Sequence, residues 1–109
     1  MSNENNITFS IIIPVFNEVK NIIETILNIE KAFKKLDQQY EIIFVDDNST
    51  DGTDREIIKV SKDKNFVKLV QHGKKEGLGA ASNFGYLNAK GKILMQLDSG
   101  HTLHFYLQD

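Results

Sequence analysis

The sequence predicts an α/β domain in which helices flank a parallel sheet. Four short apolar runs recur along the chain, and stretches with helical periodicity separate them. The runs are nearly continuous in apolar character, which is typical of strands buried on both faces of a parallel sheet. We therefore expect the element order β-α-β-α-β-α-β with right-handed crossovers, and about four strands in the doubly wound (Rossmann-like) order 3-2-1-4.

The four apolar runs are the predicted strands. They lie at residues 9–13, 40–45, 66–70 and 93–97 and are rich in β-branched and aromatic residues. Pro14 is the only proline in the chain and follows the first run. Because proline has no N–H to donate to a neighbouring strand, we expect Pro14 to terminate pairing there.

The spacing of apolar residues predicts a helix between the first two strands. Its apolar stripe follows the pattern i, i+4, i+7, i+11, i+14, and two further residues widen it. The stripe consists of Ile22, Ile26, Ile29, Phe33 and Leu36, with Ile23 and Leu27 beside it. A second helix is expected at about residues 53–62, and a third from about residue 78 to before residue 91.

Length and composition limit the classes of protein to consider. With 109 residues, we expect a single domain over residues 1–109. A net charge of −2 gives no basic surface for nucleic acid, and the absence of cysteine excludes disulfides and thiolate metal sites. The first six residues lack the features of a signal peptide, and no apolar run approaches the ~20 residues of a membrane span. We expect a soluble, cytoplasmic protein and leave contact with a membrane surface open.

Polar, acidic or glycine residues follow every predicted strand. In an open α/β sheet the carboxyl ends of parallel strands meet at one edge, and ligands bind outside that edge. These residues are therefore candidates for a ligand site. They are Pro14, Val15, Asn17 and Glu18 after the first strand, Asp46, Asp47 and Ser49 after the second, Gly77 and Gly79 after the third, and Asp98 and His101 after the fourth.

Asp46 and Asp47 allow two interpretations. Carboxylates after a strand can start a turn and cap the next helix, as aspartate does routinely. Two adjacent carboxylates also repel each other unless a donor, such as a base N–H or a ribose hydroxyl, binds them. We favour a ligand role for at least one of the two. Asn17 and Glu18 alone are weak evidence, because both residue types are common at helix starts.

Asp98 is the first candidate for a metal ligand, because hard divalent cations take oxygen ligands and bridge carboxylates to phosphates. A strand-end turn at residues 98–100 is the alternative. His101 is more typical of a surface histidine than of a ligand. Gly77 and Gly79 either let the backbone approach a phosphate or loosen a helix start, and they match neither a dinucleotide fingerprint nor a Walker A motif.

Several segments together resemble the family 2 glycosyltransferases, and within them the polyprenyl-phosphate branch that includes dolichol-phosphate mannose synthases. The likeness covers nearly the whole chain, in the order and spacing of the family. The matching segments are IIIPVFNE at 11–18, IFVDDNSTDGT at 43–53, GLGAA at 77–81, NFG at 83–85, AKG at 89–91 and LD at 97–98.

The resemblance implies a GT-A fold and transfer of a sugar from a nucleotide diphosphate sugar, to a polyprenyl phosphate or a glycan, usually with Mg²⁺ or Mn²⁺. Asp46 or Asp47 would contact the base or ribose, and Asp98 would open the metal motif. The nucleotide-binding residues implied are Pro14, Val15, Asn17, Glu18, Asp46, Asp47, Ser49, Gly77 and Gly79.

The sequence departs from the family in two places. The metal motif is normally Asp-x-Asp, but here Gly100 replaces the second carboxylate, which weakens the expected metal site. His101 is the substitute available, although imidazole matches Mg²⁺ less well than a carboxylate does. The acceptor-binding half, which normally carries the catalytic base, would follow after Asp109. We therefore expect that this polypeptide alone does not catalyse sugar transfer.

Two further expectations concern association and function class. In the order 3-2-1-4 the fourth strand is an uncovered edge, and bare edges invite pairing, so we expect self-association or a partner there. A non-catalytic nucleotide- or metal-binding module is the alternative function. A receiver-like signalling domain is a weaker alternative, because it would carry its acidic pair after the first strand rather than the second.

Overall fold

The computed structural model describes residues 6–71 and 88–97, together with the backbone of 103–107. The predicted third helix, at about 78–90, lies almost entirely outside these residues. The elements are β1 (Phe9–Val15), a 3-10 turn (Val19–Asn21), α1 (Ile22–Phe33), β2 (Tyr40–Asp46), α2 (Thr53–Asp63), β3 (Val67–Gln71), β4 (Ile93–Leu97) and β5 (Leu103–Leu107).

The described strands form one sheet in the order β3-β2-β1-β4-β5. The pairs β3–β2, β2–β1 and β1–β4 are all parallel, which confirms the predicted order 3-2-1-4. In the β1–β2 register Phe9 pairs with Tyr40 and Val15 with Asp46, so the two strands end side by side. Two parallel strands that end together place the loops that follow them at the same edge of the sheet.

The prediction that β4 is an uncovered edge was wrong. β5 pairs antiparallel with β4 along its whole length, from Ile93↔Leu107 to Leu97↔Leu103. This pairing satisfies backbone groups that β4 would otherwise present to solvent. The basis for predicting self-association at β4 is thereby removed.

Pro14 lies inside β1 rather than after it. Toward β2 the pairing continues through Pro14↔Val45 to Val15↔Asp46. Toward β4 the last pair among the described residues is Ile12↔Gln96, two residues before the proline. The predicted termination of pairing at Pro14 is therefore wrong on the β2 side, and on the β4 side the position that would face Pro14 lies outside the described residues.

The buried stripe of α1 is narrower than predicted. Its inward face consists of Ile22, Ile26, Ile29 and Phe33, all at most 9% exposed. Ile23 and Leu27 are 42% and 54% exposed, so they lie outside the core. Leu36 follows the end of the helix and is 49% exposed. Among the helices in the described part of the chain, none has the length and apolarity to cross a membrane.

The sheet is buried on both faces, as its continuous apolar strands predicted. The larger core joins the inward residues of α1 and α2 to alternate residues of β1 and β2, such as Ile11 and Phe44. A second cluster on the other face contains Ile12, Ile43 and Val45, each with no exposed surface. Burial on both faces explains why these strands carry no regular polar alternation.

A buried carboxylate holds the amino ends of the strands together. Glu41, in β2, is 1% exposed, and its Oε1 accepts a hydrogen bond from Lys68 Nζ at 2.7 Å. Its Oε2 accepts from Ser10 Oγ at 2.5 Å and from the Lys90 N–H at 2.8 Å. The N–H of Gly91 in turn donates to Ser10 Oγ at 2.7 Å. These bonds join β1, β2 and β3 to the segment that leads into β4.

Candidate functional site

The loops after β1 and β2 are fastened to each other at the carboxyl edge of the sheet. Three consecutive backbone N–H groups of the first loop donate to side-chain oxygens of the second. The bonds run from Asn17 N to Ser49 Oγ at 2.8 Å, from Glu18 N to Thr53 Oγ1 at 2.9 Å, and from Val19 N to Asp51 Oδ2 at 3.2 Å. Since each bond joins residues more than 30 apart in sequence, the two loops form one structural unit.

Asn17 also fastens the loops in the opposite direction. Its Oδ1 accepts a hydrogen bond from the backbone N–H of Thr50 at 2.7 Å and a longer one from Thr50 Oγ1 at 3.4 Å. We call the hydrogen bonds between residues 17–19 and 49–53 the loop clasp. The clasp engages three residues, Asn17, Glu18 and Ser49, that the family resemblance implied as nucleotide contacts.

Three residues in these loops have a positive φ, a backbone conformation that residues other than glycine and asparagine seldom adopt. They are Asn17 at 51°, Asn48 at 63° and Gly52 at 93°. Gly52 immediately precedes α2. Asparagine tolerates this conformation because its short polar side chain can hydrogen-bond locally.

Asp51 organises the start of α2. Its Oδ1 accepts from the N–H of Thr53 at 3.0 Å and from the Thr53 hydroxyl, while its Oδ2 accepts from Val19. The hydrogen bond from the Thr53 side chain is the main reason that the pKa of Asp51 is lowered. Burial is the second largest effect and opposes this by raising the pKa, while the backbone N–H groups of Val19, Thr53 and Asp51 lower it further.

Stability is therefore expected to depend on the charge of Asp51. A carboxyl whose pKa is lower in the folded state stabilises the fold above its unfolded pKa, here ordinarily 3.8, and this contribution is lost as the pH falls through the folded value. Asp51→Asn should thus be less stable than the wild type at pH 7, with the difference shrinking in acid. Urea unfolding of both proteins from pH 7 to pH 2 measures this, and a difference independent of pH would contradict it.

Asp46 and Asp47 lie at the end of β2 and are 2% and 4% exposed. The N–H of Asp47 donates to the Val15 carbonyl at 3.1 Å, which ties the acidic pair to β1. Both carboxylate oxygens of Asp46 lie 3.4 Å from the N–H of Ser49. These contacts are long for a charged acceptor, which usually lies within 2.7–2.9 Å of its donor.

The other predicted site residues divide into two groups. Pro14 and Val15 are buried in β1, whereas Glu18 is half-buried in the first loop beside the exposed Asn17. Gly77, Gly79, Asp98 and His101 lie outside the described residues, as does Gly100. The structure thus brings together the predicted residues that follow β1 and β2 and leaves the predicted metal ligands undescribed.

The described residues do not by themselves make a metal centre. Over residues 6–71 and 88–97, no three histidine, aspartate or glutamate side chains are grouped so that they could hold a cation. Mg²⁺ and Mn²⁺ require several oxygen ligands, so Asp46 and Asp47 would need additional donors.

Sequence reasoning missed the roles of Thr50, Asp51 and Thr53 in joining the loops. The residue types of Ser49, Thr50 and Asp51 predicted a cap for α2, and Asp51 does bind the first turn of that helix. Their partners in the first loop could not be read from the sequence, because the register of β1 on β2 decides which residues meet.

The fold agrees with the comparisons with known proteins. The model of glycosyl transferase family 2 matches residues 10–105. Because this match spans most of the chain, the chain belongs to glycosyltransferase family 2. The expected family is confirmed, and with it the Rossmann-like GT-A fold.

Similar proteins add detail. The chain is 36% identical to the dolichol-phosphate mannosyltransferase of Pyrococcus furiosus over 90 residues, which are 83% of this chain and 25% of that protein. It also resembles the mannosyltransferase PcManGT from Pyrobaculum calidifontis, which was solved in complex with GDP-Man and Mn²⁺. That likeness has a TM-score of 0.70 and 27% sequence identity, and it covers 83% of this chain and 26% of PcManGT. It also resembles S. aureus TarS 1–349, solved in complex with UDP-GlcNAc, with a TM-score of 0.65, 30% identity and coverage of 85% and 26%. The chain thus spans about a quarter of each.

Proposed function

We propose that this chain is the part of a family 2 glycosyltransferase that binds a nucleotide diphosphate sugar, at the edge where β1 and β2 end. The activity of the longer enzyme would be transfer of the sugar to a polyprenyl phosphate or a glycan. Support comes from family membership and from the similar proteins, one a dolichol-phosphate mannosyltransferase and two solved with GDP-Man or UDP-GlcNAc. For this chain itself the proposal is binding, without catalysis of sugar transfer.

The observation that carries the proposal is the burial of the Asp46 carboxylate with only long hydrogen bonds among the described residues. A carboxylate that is 2% exposed has lost most of its hydration, and such groups are normally compensated by short hydrogen bonds. Within the described residues, the bonds recorded for Asp46 are the two 3.4 Å contacts with the Ser49 N–H. A hydroxyl or N–H of a bound nucleotide would supply the short bond that residues 6–71 and 88–97 do not.

In this proposal a divalent cation would be held by residues 98–101. Asp98 would be its ligand, with His101 in place of the carboxylate that Gly100 removes. When bound, the cation would offset the negative charge of the diphosphate. The weakened motif also supports the alternative of a module that binds nucleotides without metal or catalysis. Family membership gives no support to a receiver-like signalling domain.

Calorimetry with UDP, GDP and CDP, each with and without Mn²⁺, tests the proposal. We expect one nucleotide to bind the wild type, and Asp46→Asn to weaken that binding about tenfold to hundredfold, because one hydrogen bond to a charged group is lost. Asp37→Asn, an exposed carboxylate between α1 and β2, is the matched control and should bind like the wild type.

Each outcome of this experiment has one meaning. Failure of the wild type to bind any of the three nucleotides would exclude the proposed function. Equal binding by Asp46→Asn and the wild type would remove Asp46 from the site. Binding that is independent of Mn²⁺ would favour the metal-free module over the metal-assisted site.

A further inference from the structure

Asn17 contributes to the loop clasp with both its backbone and its side chain. Its backbone N–H donates to Ser49 Oγ, and its side-chain oxygen accepts from the Thr50 N–H. The same residue therefore bonds in both directions to the loop that follows Asp46 and Asp47. Its side chain is exposed, so burial does not explain the presence of asparagine.

The segment that carries the two aspartates is held on both sides. Before the loop, the Asp47 N–H bonds to the Val15 carbonyl at 3.1 Å, as a continuation of the β1–β2 ladder. After it, Ser49 and Thr50 bond to Asn17 at 2.8 and 2.7 Å. The bonds of Asn17 thus form the second attachment of a short loop whose first attachment is the sheet itself.

The backbone conformation of Asn17 limits which residue types can make its hydrogen bonds to Ser49 and Thr50. At a φ of 51° most side chains are disfavoured, and glycine and asparagine are the usual occupants. Glycine would adopt the conformation but would leave the Thr50 N–H without its acceptor. Asn48, at a φ of 63°, has the same conformation without a hydrogen bond from its side chain among the described residues.

We propose that Asn17 is a positioning residue, which fixes the loop carrying Asp46 and Asp47 and thereby sets the affinity for the nucleotide. Asn17 acts through the backbone of residues 49–50 rather than through contact with the ligand. The effect on nucleotide affinity rests on the proposed function, whereas the fixing of the loop rests on the hydrogen bonds alone.

The test compares Asn17→Gly with Asn48→Gly. Both substitutions place glycine at a positive φ and remove one asparagine side chain from the same pair of loops, but only the first removes the acceptor of the Thr50 N–H. Amide hydrogen exchange at Thr50 and calorimetry with UDP, GDP and CDP in the presence of Mn²⁺ are the readouts. We expect Asn17→Gly to exchange Thr50 about fivefold faster and to bind the nucleotide about fivefold to tenfold more weakly, and Asn48→Gly to match the wild type in both.

Asn17→Asp provides the rescue, because it retains the acceptor oxygen and should retain slow exchange at Thr50. Wild-type exchange and wild-type affinity in Asn17→Gly would overturn the proposal. Faster exchange with unchanged affinity would reject the positioning role and leave a structural one. If the wild type binds no nucleotide, the proposed function fails, and the exchange rates alone decide whether Asn17 fixes the loop.

Discussion

Replacing Gly91 with alanine is expected to destabilise the fold by about 3 kcal/mol or more, the upper range for inserting atoms into a packed interior. A Cβ at Gly91 would lie 2.6 Å from both the backbone nitrogen and Oγ of Ser10, and 2.7 Å from the carbonyl carbon of Phe9. Two of these atoms belong to the backbone of β1, a strand in the interior of the sheet, so they cannot rotate away. Any relief must move the Gly91 segment and stretch its 2.7 Å bond to Ser10.

Gly52→Ala is the matched control for this effect. Gly52 has a φ of 93°, so alanine is strained there, but among the described residues its Cβ would meet only the flexible side chain of Arg55, at 3.5 Å. The expected cost is that of a left-handed residue, about 1–2 kcal/mol. Urea unfolding of both variants measures the two costs. A Gly91→Ala protein as stable as Gly52→Ala would contradict the steric argument.

Replacing Glu41 with alanine is expected to cost about 3 kcal/mol, at the lower end of the range for removing one partner of a buried ion pair. The Ser10 hydroxyl and the Lys90 N–H would each lose their acceptor, whereas the partly exposed Lys68 amine could be rehydrated. Lys68→Met should cost less, because the carboxylate keeps its other two hydrogen bonds. Equal costs for the two variants in urea unfolding at pH 7 would contradict this ranking.

The charge of Glu41 gives the same network a dependence on pH. Burial raises the pKa of Glu41, but the hydrogen bonds from Lys68, Ser10 and Lys90 outweigh it, so the pKa is lowered overall. The carboxylate therefore contributes stability above its unfolded pKa, ordinarily 4.5, and this contribution is lost as the pH falls through the folded value. The difference in stability between the wild type and Glu41→Ala should accordingly be smaller at pH 3 than at pH 7.

Much of the fold was predictable because its signals are local. Continuous apolar runs located β1 to β4 within one or two residues, and the spacing of Ile22, Ile26, Ile29 and Phe33 located α1. β5 was missed because the segment at 103–107 is short and its strand character depends on pairing with β4. Exposure of Ile23 and Leu27 was missed because periodicity shows that a stripe exists but not how much of it the neighbouring elements cover.

The candidate site was predictable in outline only. The rule for open α/β sheets located the acidic pair at the correct edge. The bonds that shape this edge join residues 32 to 35 apart in sequence, and those of Glu41 join residues 27 to 49 apart. Such pairs follow from strand register and side-chain direction, and neither is encoded in a local pattern.

Pro14 bears on how a ligand would enter the proposed site. β1 and β2 pair for three residues beyond Ile12↔Gln96, the last β1–β4 pair among the described residues. This point lies where the strand order reverses direction, the position at which open α/β sheets form their ligand crevice. Because a proline nitrogen has no hydrogen to donate, Pro14 adds no N–H bond of its own across this position. A ligand that binds there would therefore not have to break such a bond on entering.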